Sequence, residues 1–367
     1  MKILYVCTTT DRGGAENALR ALALVSRREN HAVKVICLKP AGVVAQELRT
    51  AGVDVLSLEI NEKFNPFQTA GALARLVSEI KNFQPDVVHA FLYRAIQLCR
   101  QAKKYVSFRL ITTPHYAISK QNYFKRLWDR ALKNADDVSC AESEQTAHFL
   151  TEKQKYAPEK VRLVCNGVDS VYFAPDPQAR KSEREKLGFK ENEIVFCCVA
   201  RLAKEKNHIT LLRAFEKMQA KNPLVRLVLV GDGPGKPHLE AFLKEHRLKK
   251  AVVCAGEVAD VRPYLQAADV FVLASKEESL PLALLEAGAC GLPAIASKVG
   301  DMPQVVGHGV GGFVFNPADF VILSVLMAEL AQNAKLREIM GKNARTRTEQ
   351  KYPPAEPIYL QIYKEIN

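Results

Sequence analysis

The chain has 367 residues, of which 48% are hydrophobic and 25% charged, and its net charge is +12. This is the composition of a globular protein, and the chain is long enough for two domains. No stretch approaches the ~20 apolar residues that a bilayer requires, which excludes a membrane-spanning helix. The nine cysteines are an odd number without a C-x-x-C pair, which argues against a disulfide framework or a zinc cluster.

The first half of the chain alternates short β-branched runs with amphipathic stretches. Helical spacing is present at residues 15–27 and 67–82, and strands are predicted at residues 3–7, 32–38, 53–58, 86–90, 110–113 and 138–140. This alternation predicts a parallel sheet with helices on both faces. The apolar run at the start of the chain turns polar too early for a secretory signal, so we expect a cytoplasmic protein.

Polar residues follow several of these predicted strands. Gly13 and Gly14 come after the first strand and would let the backbone approach a phosphate or a sugar at a helix start. His89 and His115 each come at the carboxyl end of a strand, where open α/β sheets bind ligands. A lone histidine is as often a core residue, and for His89 both interpretations stay open. The polar stretch after His115 favours a role beside an acceptor or a donor sugar.

Residues 120–133 predict a helix with an apolar stripe and a cationic flank. The stripe is Tyr123, Phe124, Leu127 and Trp128, and the cations are Lys120, Lys125, Arg126, Arg130 and Lys133. Such a helix can lie on an anionic membrane, but more often its stripe packs on the core, which is what we expect here. The first 175 residues are also the more basic part, with 25 Lys and Arg against 17 Asp and Glu. No nucleic-acid-binding motif is present, so we expect no nucleic acid partner.

The strand and helix pattern restarts after a turn-rich segment at residues 166–177. Helices are predicted at residues 209–218, 237–246 and 354–366, and strands at 194–199, 225–230, 251–254, 270–274 and 294–297. The fold class is therefore α/β, with two Rossmann-like doubly wound domains facing a central cleft. We place the domain boundary at residue 175, so that the second domain covers residues 176–351.

The segment after the predicted strand 270–274 carries two carboxylates around a helix start. Ser279 is a good N-cap and Pro281 suits the first turn, so the helix would offer free amides to an anion. Glu278 precedes this helix and Glu286 lies within it. Sugar hydroxyls beside that anion would donate to the carboxylates. Alternatively, Glu278 only favours the helix N-terminus and Glu286 lies on the surface.

Two cations follow the predicted strand 194–199. Arg201 comes directly after the strand and Lys206 just before the next helix, and together they would neutralise a diphosphate leaving group. Lys204 fits a solvated loop better. The sequence contains no Asp-x-Asp, so we expect neither a chelated metal nor another cofactor. The glycine-rich turn at residues 231–236 lacks the spacing of a phosphate-binding loop and predicts a tight turn.

Taken in order, these motifs resemble glycosyltransferase family 4 over roughly residues 1–345. They are Gly-Gly-Ala-Glu, Asp-Val-Val-His, Asn-Gly-Val-Asp, Arg-Leu-x3-Lys, Val-Gly-Asp-Gly-Pro and Glu-x7-Glu. The resemblance implies a B-type glycosyltransferase fold in which a C-terminal helix, residues 352–367, crosses back to the N-terminal domain. It also implies retention of anomeric configuration, with the leaving phosphate taking the acceptor proton.

The resemblance assigns roles to individual residues. Arg201 and Lys206 would hold the donor diphosphate, Glu278 would contact the donor sugar, and Glu286 would bind the ribose. Further donor contacts would come from Gly13, Gly14, Glu257, Val258, Ser279, Leu280, Pro281 and Leu282. The acceptor side would consist of His89, Phe91, Arg94 and His115, and His115 would join Glu278, Arg201 and Lys206 in catalysis.

Three positions depart from the family pattern. Ser279 follows Glu278 where glycine is usual, Phe91 stands where a second histidine is usual, and Gln304 replaces a glutamate. The first change bears on the donor sugar, and the other two bear on the acceptor or hinge regions.

The sequence thus predicts a hexosyltransferase that uses a nucleotide sugar, with UDP as the expected nucleotide, and acts on a cell-envelope glycan or a lipid-linked acceptor. Peripheral contact with the cytoplasmic face of the membrane is a further expectation. Two alternatives stay open. One is a UDP-sugar 2-epimerase of similar fold, and the other is a non-catalytic protein that binds sugar nucleotides.

Overall fold

The computed structural model describes residues 1–60, 66–115 and 123–366. The chain divides into two compact units, one made of residues 1–166 and 355–367 and the other of residues 167–354. The pattern of the sequence predicted the boundary at residue 175. Each unit is built on its own parallel β-sheet, as predicted.

Unit 1 contains a seven-stranded sheet in the order β3-β2-β1-β4-β5-β6-β7. Its strands are β1 Lys2–Cys7, β2 Ala32–Cys37, β3 Asp54–Ser57, β4 Val87–Phe91, β5 Arg109–Thr113, β6 Val138–Ala141 and β7 Val161–Leu163. Its helices are α1 Gly14–Arg28, α2 Val43–Thr50, α3 Pro66–Phe83, α4 Tyr93–Ala102, α5 Tyr123–Leu132, α6 Glu144–His148 and, at the C-terminus, α15 Glu356–Ile366.

The two faces of this sheet carry separate cores, because successive side chains of a strand point to opposite sides. From β1, Ile3 and Tyr5 pack with α1 and α2 on one face, whereas Leu4 and Val6 pack with α3 and α4 on the other. Helix α15 contributes Tyr363 and three neighbouring residues to the first core. The C-terminal helix therefore belongs to unit 1, as the resemblance implied.

Unit 2 contains a six-stranded parallel sheet in the order β10-β9-β8-β11-β12-β13. Its strands are β8 Ile194–Val199, β9 Val225–Val230, β10 Val252–Gly256, β11 Val270–Leu273, β12 Ala294–Ser297 and β13 Gly312–Phe315. Its helices are α7 Pro177–Lys186, α8 His208–Gln219, α9 Lys236–Glu245, α10 Arg262–Ala267, α11 Leu282–Ala289, α12 Met302–Val306, α13 Phe320–Gln332 and α14 Ala334–Lys351. In both sheets the order reverses beside the first strand of the unit, as in a doubly wound fold.

Helix α5 corrects one expectation. The sequence predicted that its apolar stripe would pack on the core, but Tyr123, Phe124, Leu127 and Trp128 are all exposed. The physical reason is that the inward face of the helix carries Asp129, which pairs with buried Arg100. Lys120 lies outside the described residues. Among the helices that the structure describes, none combines the length and the apolarity needed to cross a bilayer.

Candidate functional site

The carboxyl ends of β8 and β11 bring Lys206 and Glu278 together. These strands are neighbours in the sheet of unit 2, so the loops that follow them lie side by side. Lys206 Nζ lies 2.6 Å from Glu278 Oε1, and Ser275 Oγ donates to the same oxygen at 2.7 Å. The side chain of Glu278 is only 9% exposed. An enclosed carboxylate of this kind is stable because a cation balances its charge and a hydroxyl donates a hydrogen bond to it.

The backbone holds these two loops in register. Lys276 N donates to Glu205 O at 2.7 Å. Asn207 adopts a left-handed conformation at φ 57°, and its Nδ2 donates to Ala274 O at 3.1 Å and to Pro317 O at 2.9 Å. Asparagine tolerates this conformation better than most residues. Asn207 can therefore end the turn, and its side chain links the turn to Ala274, directly after β11. The position of Lys206 is therefore set by bonds that the sequence motif alone did not reveal.

Arg201 lies in the same loop but does not contact Glu278. Its side chain is 61% exposed, and its Nη2 pairs with Glu205 Oε1 at 2.8 Å. An exposed pair of this kind is weak and exchanges readily with another anion. The guanidinium is thus accessible to solvent at the rim of the loop, whereas Lys206 pairs with the enclosed Glu278.

The glycine-rich turn after β9 packs against the loop that carries Arg201 and is hydrogen-bonded to it. Leu202 N donates to Asp232 O at 2.9 Å, and Gly235 N donates to Leu202 O at 2.7 Å. Gly233 has a φ of 155°, and a Cβ at this position would lie 2.7 Å from Leu202 O. Only glycine allows this close approach. The segment is the tight turn that the sequence predicted, and its contacts with Leu202 position the loop that carries both cations.

The helix after Glu278 starts later than the sequence predicted. Helix α11 spans Leu282–Ala289 with Pro281 as its N-cap, so the prediction of Ser279 as the N-cap is wrong. Ser279 O instead accepts from Asp301 N at 2.9 Å, and Gly300, at φ 54°, packs against the carbonyls of Glu278 and Ser279. The turn before α12 thus packs against this segment, which bends at residues 279 and 280 and reaches an extended backbone at Pro281. Leu280 is buried, and Pro281 and Leu282 are half-buried at the helix start.

Glu286 lies in the second turn of α11 and is half-buried. Burial, together with the nearby Asp260 carboxylate, raises its pKa to about 7. Asp260 pairs with Arg262 at 2.5 Å, and the Arg262 guanidinium lies 3.6 Å from the centre of the Tyr172 ring. A carboxyl group with this environment can accept or donate a hydrogen bond near neutral pH. Residues 257 and 258, predicted to flank a base, follow β10, with Glu257 exposed and Val258 half-buried.

Five further residues contact these side chains or lie beside them and were not predicted from the sequence. They are Ser275, Glu205, Asn207, Asp260 and Arg262. A polar residue directly after a buried strand was a usable signal for Ser275. Asn207 and Asp260 act on residues far along the chain, Ala274 and Glu286, whereas Glu205 and Arg262 make ion pairs with residues four and two positions away.

The residues predicted in unit 1 have mixed environments. Gly13 is the N-cap of α1 and Gly14 its first residue, and Arg94 is exposed on α4. His89 has no exposed surface, and its Nδ1 and Nε2 lie 2.6 Å from Tyr363 Oη and 2.7 Å from Thr113 Oγ1. Burial lowers its pKa well below the ordinary value. His89 is thus a neutral core residue that joins the sheet to α15, with no surface to offer an acceptor in this conformation.

Phe91 and His115 stack on each other at the carboxyl ends of β4 and β5. Their ring centres are 5.6 Å apart and their planes differ by 16°. Phe91 is buried and also packs against His89, whereas His115 is half-buried. Burial lowers the pKa of His115 to about 4, so the ring is neutral at pH 7. His115 also has a φ of 49°, an uncommon conformation for a residue with a side chain.

Within residues 1–60, 66–115 and 123–366, no group of three His, Cys, Asp or Glu side chains is arranged to hold a metal ion. The positive charge beside Glu278 is that of Lys206.

Comparison with known families places this geometry in context. The family model described as Glycosyltransferase Family 4 matches residues 12–171, and the model described as Glycosyl transferases group 1 matches residues 179–347. The two matches fall on the two parallel-sheet regions of the chain.

Individual proteins show the same similarity. The chain is 30% identical to N-acetyl-alpha-D-glucosaminyl L-malate synthase of Bacillus anthracis over 80% of each chain. It is 33% identical to UDP-Gal:alpha-D-GlcNAc-diphosphoundecaprenol alpha-1,3-galactosyltransferase of Escherichia coli, over 52% of this chain and 50% of the relative. For two further relatives, the match covers 55% and 47% of their length, so the chain spans about half of several relatives that it matches.

Solved structures share the whole fold. The structure of Anabaena Alr3699/HepE in complex with UDP and glucose superposes with a TM-score of 0.88 and 22% identity, covering 100% of this chain and 99% of the other. At this identity the similarity establishes the fold, which matches the two-domain α/β architecture that the sequence predicted.

Proposed function

This chain belongs to glycosyltransferase family 4, and on that premise we propose that it is a retaining transferase that moves a hexose from a UDP-sugar to a cell-envelope glycan or a lipid-linked acceptor. The observation that carries the proposal is the cluster of Lys206, Glu278 and Ser275 at the carboxyl ends of β8 and β11. Its components match the groups of a nucleotide sugar, because a cation suits the diphosphate and a carboxylate suits the sugar hydroxyls.

The donor diphosphate would bind between the cations and the start of α11. Arg201 exchanges its exposed pair with Glu205 for a phosphate oxygen, and Lys206 reaches the same group from beside Glu278. The N-terminus of α11, which has no side-chain cap, adds a positive partial charge. Glu286, further along that helix, would bind the ribose hydroxyls. The donor contacts of Gly13, Gly14, Glu257 and Val258 are part of the proposal and rest on the family resemblance.

The transfer itself would proceed on one face of the sugar. The acceptor oxygen forms a bond to the anomeric carbon while the bond from that carbon to the β-phosphate oxygen breaks, and this phosphate oxygen takes the acceptor proton. The charge that develops on the leaving diphosphate is balanced by Arg201 and Lys206, so the proposal includes no metal ion. His115, neutral at pH 7, would offer a hydrogen bond rather than a charge.

The proposed acceptor class rests on the relatives and on surface charge. The E. coli relative is named for an acceptor carried on diphosphoundecaprenol. The basic character of the first 175 residues suits an anionic glycan or lipid diphosphate near the cytoplasmic side of a membrane.

The experiment that tests the donor assignment is a calorimetric titration with UDP. Wild-type protein should bind UDP, and Arg201→Ala and Glu286→Ala should each weaken binding by about tenfold or more, since each removes one charged or hydrogen-bonding contact. Lys204→Ala, a change of an exposed lysine in the same loop, is the matched control and should bind UDP normally. Unchanged UDP affinity in both site variants would overturn the assignment.

Product analysis then separates the reaction classes. A thermal-shift screen with a panel of nucleotide sugars identifies the donor, because a ligand bound to the native state stabilises it. With that donor alone, a transferase releases little product, whereas a 2-epimerase converts the sugar nucleotide without any acceptor. Transfer to an acceptor should give a product of unchanged anomeric configuration, and an inverted product would exclude the retaining mechanism. Donor binding without turnover under any acceptor would favour the non-catalytic alternative.

A further inference from the structure

Helix α5 is attached to unit 1 by its polar side. Asp129 is its buried residue, whereas Tyr123, Phe124, Leu127 and Trp128 are 66%, 77%, 50% and 52% exposed. At 3.6 residues per turn, Asp129 lies about 170° from the centre of this stripe. We call the four exposed residues the α5 face. An amphipathic helix of a globular domain normally has the opposite orientation, with its apolar stripe on the core.

A buried ion-pair network fixes this orientation. Arg100 Nη1 lies 2.7 Å from Asp129 Oδ1, and Gln97 Nε2 donates to the same oxygen at 3.0 Å. Arg100 also pairs with Asp136 at 2.7 Å and donates to Tyr156 Oη at 2.6 Å. Buried ion pairs contribute little stability compared with apolar packing of the same volume. The network therefore specifies which side of α5 faces outward, at the expense of apolar burial.

Cations border the α5 face. Lys125, Arg126 and Arg130 lie on the helix itself, whose one acidic residue is the buried Asp129. Beyond the helix, Arg130 Nη2 donates to Lys153 O at 2.6 Å and Lys133 Nζ donates to Gln154 O at 2.9 Å. These bonds bring the basic segment 153–155 beside the end of α5, with Glu152 as the neighbouring acidic residue.

We propose that the α5 face docks unit 1 on an anionic lipid bilayer, with the helix lying in the plane of the interface. Aromatic side chains are suited to the boundary between headgroups and acyl chains. Each lysine or arginine beside it adds attraction to anionic headgroups. A second copy of this chain is a poorer partner, because a two-fold contact through the α5 face would bring the two cationic borders together. The proposal does not depend on the chemistry proposed for unit 2.

Trp128 allows a direct test, because it is the single tryptophan of the chain. Its fluorescence is recorded with vesicles of phosphatidylcholine alone and with vesicles that also contain phosphatidylglycerol. Binding to the anionic vesicles should shift the emission to shorter wavelength and protect Trp128 from acrylamide quenching. High salt should weaken this binding, because part of the attraction is electrostatic.

Variants that keep Trp128 test the apolar and the charged contributions separately. Phe124→Ser with Leu127→Ser should lower partitioning into anionic vesicles by about tenfold or more, since both side chains would leave the acyl boundary. Replacing Lys125, Arg126 and Arg130 by glutamine should lower it for anionic vesicles only. Ile322→Ser with Val325→Ser, a pair of exposed apolar residues on α13 of unit 2, is the matched control and should leave partitioning unchanged.

Two results would overturn the proposal. One is an unchanged Trp128 spectrum with anionic vesicles. The other is a spectral shift without lipid that grows with protein concentration, which would identify the α5 face as an interface between copies. Circular dichroism and calorimetric titration with UDP, run on each variant, report the fold and the donor site. A variant that loses vesicle binding but keeps normal UDP affinity therefore reports on the α5 face and not on the donor site. A variant that loses only UDP binding reports on the proposed function and not on the α5 face.

Discussion

Lys206 Nζ lies 2.6 Å from Glu278 Oε1, although 72 positions separate the two residues in the chain. The pair joins the two loops that follow adjacent strands of unit 2, and Ser275 donates to the same carboxylate oxygen. Lys206 thus balances the charge of the enclosed Glu278 carboxylate. Under the proposed function, a bound diphosphate would share this cation, so the phosphate and sugar contacts of the donor would be coupled.

Replacement of Lys206 by methionine should weaken UDP binding by about tenfold or more and lower turnover further. It removes the proposed phosphate contact and also leaves the enclosed Glu278 carboxylate without its cation. Isothermal titration with UDP and initial rates with the identified donor measure the two effects. The control is Lys204→Met in the same loop, for which we expect wild-type values. Equal behaviour of the two variants would contradict the role of Lys206.

Ser275→Ala should lower kcat/KM for the donor by about tenfold, because one hydrogen bond to a charged group is worth roughly 1.5 kcal/mol. Ser275 Oγ orients Glu278 and is itself fully buried, so it acts as a positioning residue. Ser324→Ala removes another buried serine of unit 2, whose Oγ donates to Val321 O, and should leave kcat/KM unchanged. If both variants lose only stability, the positioning role is wrong.

The pH dependence of stability should change on replacing Glu286 with glutamine. Burial raises the pKa of Glu286 to about 7, above its value in the unfolded chain. At intermediate pH the native protein therefore holds a proton on this group more often than the unfolded chain does. This proton binding stabilises the native state fully at a pH below the pKa of Glu286 in the unfolded chain, and the stabilisation is lost as the pH rises through 7. Near pH 5 we expect little difference from wild type, whereas at pH 8 Glu286→Gln should be more stable by roughly 1–3 kcal/mol.

Urea unfolding at pH 5, 7 and 8 measures this difference. Glu191→Gln, a change at an exposed carboxylate, is the control for the loss of one charge. A stability gain of Glu286→Gln that is the same at all three pH values would contradict the assigned pKa.

Gly233→Ala should destabilise the protein by about 1–3 kcal/mol, the usual cost of a side chain in a strained backbone region. Gly233 has a φ of 155°, and the new Cβ would press on Leu202 O in the loop that carries Arg201. UDP affinity should fall as well, because the loop that carries Arg201 has to move away from the new Cβ. Gly71→Ala is the control in helix α3, where a Cβ meets no atom within 4 Å, and it should stabilise by about 0.5–1 kcal/mol.

Arg100→Met should destabilise unit 1 by about 3–5 kcal/mol, because Asp129 and Asp136 would remain buried without their cation. Calorimetry measures the loss as a lower Tm. Lys342→Met, which breaks an exposed pair with Glu338, should leave Tm nearly unchanged. A small effect of Arg100→Met would show that the network does not anchor α5.

The sequence by itself determined the two-sheet architecture and much of its detail. The bounds of β8, β9 and β12 match the predicted strands, since buried parallel strands are nearly continuous apolar runs that are visible in one dimension. Strands β7 and β13 were missed, because they are short and lie at sheet edges, where burial leaves a weak pattern. The order of motifs also identified the family, and it placed Arg201, Lys206, Glu278 and Glu286 in one α/β unit.

Only the tertiary structure decided what these side chains touch. It pairs Lys206 with Glu278 and Arg201 with Glu205, and it encloses His89 between Thr113 and Tyr363. It also turns the apolar stripe of α5 outward by pairing Asp129 with Arg100. Periodicity shows that a helix has two faces, but which face is buried depends on partners far along the chain, and a local pattern carries no information about those partners.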